Sequence, residues 1–110
     1  MVYIIVKAWY PTHIGVEIGK KYLEVLKKYP PSKAPGKAII PVAVSSNKNG
    51  IKVMSVTEVA DDDAQTFADA YTWVSNSLVE YMNIEGFEYK IRVWGSLQAS
   101  MEGIGLKLPE

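Results

Sequence analysis

Residues 37–59 read KAIIPVAVSSNKNGIKVMSVTEV, and the fold turns on this stretch. Lys37 to Ser45 and Ile51 to Val59 are both rich in β-branched residues, the composition of strands. Between them stands Asn49-Gly50, two residues that tolerate the positive φ of a tight hairpin turn. The segment is therefore a β-hairpin. Pro41 sits inside its first strand, and a proline has no N–H to give to a ladder. That strand belongs at the edge of a sheet or at a bulge.

Working outward, Val2 to Trp9 is a further strand, again β-branched and aromatic. Pro11-Thr12 opens a helix with Thr12 as its expected N-cap. Its apolar stripe is Ile14, Ile18, Tyr22, Val25, Leu26 and Tyr29, closed by Pro30. Three prolines within residues 30–35 make the next stretch a connection, since it can neither continue a helix nor join a ladder. Beyond the hairpin, Asp61 is expected to cap a second helix, with Asp62 and Asp63 in its first turn. The stripe expected there is Ala64, Phe67, Ala68, Tyr71, Val74, Leu78, Tyr81 and Met82, with Trp73 off it. Asn83 to Gly86 then turns into a strand from Phe87 to Trp94, the cleanest alternation in the chain.

The order is βαββαβ, the split βαβ arrangement. Right-handed crossovers give an α+β fold: an antiparallel sheet ordered 4-1-3-2 with both helices on one face. Pro41 then lies on an edge strand, as it must. Residues 1–95 form this domain and residues 96–110 a C-terminal extension. In the extension, Ser96 to Glu102 reads as a short capped helix, and Ile104, Leu106 and Leu108 alternate like a strand. A strand there has only an edge left to pair with, and docking on a neighbouring subunit is the expectation.

Composition narrows the chemistry. The chain has 110 residues, twelve cationic and twelve anionic side chains, one His and no Cys. Without Cys there are no disulfides, thiolate metal sites or cysteine nucleophiles. One His excludes a mononuclear site built on two or three histidines, and no cofactor is expected. Zero formal charge argues against nucleic acid or a membrane surface as partner. The N-terminal apolar run, Val2 to Val6, is too short for a signal segment, and the expected location is the cytoplasm.

Two helices leave the other sheet face open. If Val2, Ile4, Val6 and Ala8 turn to the helices, the open face carries Tyr3, Ile5, Lys7 and Trp9. It also carries Met54, Val56 and Glu58, and Glu88, Lys90, Arg92 and Trp94. A one-residue slip in the third strand replaces its three residues by Ile51, Val53, Ser55 and Thr57. Such a mixed aromatic face calls for a covering. On element order and this half-apolar face, residues 2–94 resemble the dimeric α+β barrel superfamily of ferredoxin-like proteins. The resemblance implies a second copy packed sheet to sheet, with Tyr3, Trp9, Met54 and Trp94 at the interface, and the docking tail is expected to add Ile104 and Leu106. RNA is disfavoured because the third strand has no aromatic and no RNP1 pattern, and a different partner chain is the third covering the sequence leaves open.

For chemistry, His13 is the one imidazole, and it follows the first strand directly. Tyr10 and Glu85 are expected near it, a set suited to proton transfer. The sequence thus leaves two functions open: a small homo-oligomer that acts by assembly and holds a small apolar ligand, or a cofactor-independent oxygenase or isomerase with His13 as acid/base. Asp61 to Asp63 is explained by helix capping, and Gly103-Ile104-Gly105 precedes no helix that would offer an anion its N-terminus. Gly15 and Gly19 on the first helix are expected to serve close packing.

Overall fold

The computed structural model describes residues 1–109. Strands β1 (Val2–Tyr10), β2 (Lys37–Asn47), β3 (Gly50–Val59) and β4 (Glu88–Gly95) form one antiparallel sheet in the order β2-β3-β1-β4. Helices α1 (Gly15–Lys28) and α2 (Ala64–Val79) are the crossovers, and α3 (Leu97–Gly103) follows the sheet. This is the ferredoxin-like arrangement the sequence predicts. The expected edge position of β2 is also found, and its pairing with β3 slips on either side of Ile40, beside Pro41. The missing N–H breaks the ladder where it matters least.

Register decides which residues share a face. Val2 pairs with Val59, Ile4 with Thr57, Val6 with Ser55 and Ala8 with Val53, so these face the helices. The open face is built from rows. Tyr3 lies between Trp94 and Glu58, Ile5 between Arg92 and Val56, Lys7 between Lys90 and Met54, and Trp9 between Glu88 and Lys52. Of the two third-strand registers the sequence allowed, the one with Met54, Val56 and Glu58 on the open face is present.

The core falls into two clusters. Ile4, Val59 and Ala70 are buried together, with Phe67, Val74 and Ile91 packed on them. Ile18, Val25, Tyr81 and Ile84 form the other, with Tyr10, Ile14, Tyr29 and Phe87 around it. Small residues on α2 set this geometry. Ala70 is fully buried and Ser77 half-buried, letting the helix approach the sheet. The buried stripe is therefore Phe67, Ala70, Val74, Ser77 and Leu78, rotated from the one expected. Tyr71, Ala68 and Met82 are exposed, while Trp73 is packed inside.

Other expectations need correction. Thr12 caps nothing: it starts a single 3-10 turn, Thr12–Ile14, and α1 begins after it without a side-chain cap. Asp63, not Asp61, caps α2, its carboxylate accepting hydrogen bonds from the Thr66 backbone N–H at 2.9 Å and hydroxyl at 2.6 Å. Asp61 instead pairs with the N-terminal ammonium. The residues after α3 form a turn and no strand; Ile104 and Leu106 are 70% and 51% exposed. Gly19 has open space around it, and a Cβ on Gly15 would make only an ordinary contact, with Ile51 at 3.6 Å, so neither glycine serves close packing. Among the described residues no helix is long and apolar enough to cross a membrane.

The molecule is elongated. Its Cα radius of gyration is 15.9 Å, against about 13 Å for a compact domain of this length. The long β2–β3 hairpin extends beyond what the helices cover. Ile39, Val42 and Val44 on β2 remain exposed.

Candidate functional site

Between the helices and the β2–β3 half of the sheet lies an apolar cavity of about 380 Å³. Ile18, Tyr22, Val25 and Leu26 of α1 form one wall, and Trp73, Val74, Ser77 and Leu78 of α2 another. The sheet contributes Val6, Ala8, Val53 and Thr57, with Val42 and Val44 of the exposed hairpin. Pro31, Ala34 and Pro35, from the rigid connection after α1, also line it. Gly19 lines it as well, and its missing side chain leaves room there. The volume suits a small organic molecule.

Aromatic residues order the cavity. Trp73 meets Tyr29 edge to face, with centroids 5.4 Å apart. Phe87 stacks on Tyr81 at 4.8 Å and on Tyr10 at 6.3 Å. Burial pushes the Tyr81 phenol up to about 12, and the neighbouring phenols of Tyr22 and Tyr10 add repulsion against its ionisation. Burial raises Tyr10 too. Tyr10, Tyr22 and Tyr81 all line the cavity, where a phenol hydroxyl can donate a hydrogen bond. Ser77 already spends its proton, donating to the Val74 carbonyl at 2.7 Å. No Asp, Glu, His, Lys or Arg lines the cavity.

The predicted proton-transfer set is divided by the structure. Tyr10 lines the cavity; His13 and Glu85 do not, and both are exposed. The loops that carry them do meet, because a Cβ on Gly86 would lie 3.1 Å from the Pro11 ring. Among the described residues no group of three or more His, Asp or Glu is placed to hold a metal ion. Sequence reasoning missed Tyr22, Tyr29 and Trp73 as site residues. A signal existed: Tyr22 and Tyr29 are seven apart on the α1 stripe, and three prolines follow them.

No protein-family model matches the sequence. No curated protein matches it either. Among solved structures, the chain is similar to the de novo designed protein Foldit4, with TM-score 0.55 and 15% identity over 86% of this chain and 97% of that one. It is also similar to a mutant of SnoaB, a cofactor-independent oxygenase from Streptomyces nogalater, with TM-score 0.46 and 9% identity over 88% of this chain and 94% of that one. Likeness at such identities is likeness of fold alone.

Proposed function

We propose that this chain is a binding protein for a small, mostly apolar molecule, held between helices and sheet, and that it works as a homo-oligomer. One observation carries the ligand reading. The cavity is lined wholly by uncharged residues, with Tyr10, Tyr22 and Tyr81 among them to offer phenol hydroxyls. Such a lining suits an aromatic or alicyclic body with a carbonyl or hydroxyl oxygen facing the phenols. Binding is favoured over turnover because the lining offers no Asp, Glu, His or Lys to act as general acid or base.

The assembly reading is supported by Trp94, 59% exposed, beside half-buried Tyr3, Trp9 and Met54 on the open sheet face. A single chain leaves this aromatic surface without a covering. Light scattering coupled to size exclusion tests it: a clean monomer at micromolar concentration in every salt tried sinks the idea.

For the ligand, a Trp9→Phe, Trp94→Phe double variant leaves Trp73 as the sole indole, inside the cavity. Benzophenone is expected to quench Trp73 saturably. Tyr22→Phe in that background should weaken benzophenone binding by about threefold to tenfold, the worth of one neutral hydrogen bond. Binding of diphenylmethane, which has no carbonyl, should be unchanged. Absence of saturable quenching by either compound removes the proposal.

A further inference from the structure

The open sheet face holds more than aromatics. A hollow of about 270 Å³ lies on it, lined by Lys7, Lys52, Lys90 and Arg92, with Ile5 between them and Trp9 and Trp94 at its ends. Lys7 and Lys90 stand directly opposite each other in the β1–β4 register, an arrangement that costs stability unless something offsets it. Arg92 and Lys52 sit diagonally from Lys7. Among the described residues none of the four cations forms an ion pair, although Lys52 rests over the Trp9 ring at 5.7 Å. The two carboxylates of this face, Glu58 and Glu88, do not line the hollow. In a chain of zero formal charge, such a concentration of one sign is a local choice.

We infer that this hollow is an oxyanion site, for a small, multiply charged group of the phosphate type, and that a second copy completes it. The inference rests on the homo-oligomer reading above. Packing two such faces together brings the eight cations of the hollows into one interface and strips them of water, against only four carboxylates, Glu58 and Glu88 of each copy. Buried like charges oppose association unless counter-charge enters with them. Charge complementarity therefore selects an anion, and the open roof of the hollow is where the partner copy adds its own lysines and arginine. The indoles of Trp9 and Trp94 supply the apolar rim. Assembly is then linked to the anion, because a ligand bound by the dimer and not by the monomer stabilises the dimer by mass action.

Sedimentation velocity of the purified chain tests this, in sodium chloride and in sodium pyrophosphate at matched ionic strength. Pyrophosphate should tighten the dimer roughly tenfold beyond chloride. Lys90→Gln, at an exposed position outside both core clusters, should dimerise in chloride alone and respond less to pyrophosphate. Equal dimerisation of the parent chain in both salts overturns the anion site and leaves the assembly reading standing. A monomer in both salts removes the assembly reading and this inference with it. Retention of a thymidine oligonucleotide by monomers also overturns it, by giving the face to a nucleic-acid strand.

Discussion

A Cβ built on Gly50 would lie 2.7 Å from the Tyr10 carbonyl oxygen, and the backbone there has φ of +135°. Both facts bar any other residue, because a side chain would strain the turn and collide with backbone that cannot step aside. Gly50→Ala should lower the unfolding free energy by about 2 kcal/mol, read from the urea midpoint. Tyr81 imposes a different limit. Its phenol ionises in the unfolded chain near 10 and in the folded one only at about 12. Between those values the unfolded state has released a proton that the folded state keeps, so stability falls as pH rises. Alkaline unfolding curves should show this slope, and Tyr81→Phe should flatten it.

Helix α2 is held at its start by a charged cap. The Asp63 carboxyl lies below its usual range because it accepts hydrogen bonds from the Thr66 hydroxyl and backbone N–H. A depressed carboxyl contributes stability above the unfolded value near 3.8, and that contribution disappears as pH falls through the folded one. Asp63→Asn should keep the cap but lose this acid dependence, whereas Asp63→Ala should lower Tm at neutral pH; thermal melts across the acid range separate them. On α1, Gly19→Ala should stabilise by about 0.5 to 1 kcal/mol, since a methyl group meets nothing there. The same methyl narrows the cavity, so benzophenone affinity should drop while Tm rises. Element type and order were legible because Pro41, Asn49-Gly50 and the alternation from Phe87 carry strong local rules. Caps and helix rotation were less so. Three consecutive aspartates offer three equivalent caps until the turn after β3 is known. The α2 stripe, too, is chosen by which small residues meet the sheet, a tertiary outcome that periodicity does not contain.

At the scale of the molecule, an elongated sheet with one open face leaves protection uneven. Amides of β1, flanked by β3 and β4, should exchange slowest with deuterium, and outward amides of β2 fastest among the strands. Mass spectrometry after a deuterium pulse would show the opposite order if β2 were the buried strand. The cationic hollow was half legible in the sequence: alternation puts Lys7, Lys90 and Arg92 on the open face, but Lys52 joins them only through the β1–β3 pairing, and the overall charge balance hides the excess. Register sets which of them stand opposite one another. The cavity escaped notice for a related reason: its phenols come from β1, α1 and the turn after α2, and only packing unites them. The strand order also sets a schedule for how the chain acquires its shape. The β2–β3 hairpin closes locally through Asn49-Gly50, whereas β1 waits for a neighbour that pairs Val2 with Gly95. Loop closure over that span is slow, and contacts of such long range arrive late. During synthesis, then, one side of the central strand stays unpaired until residues 88–95 have left the ribosome. The strand most protected in the finished protein is among the last to be secured.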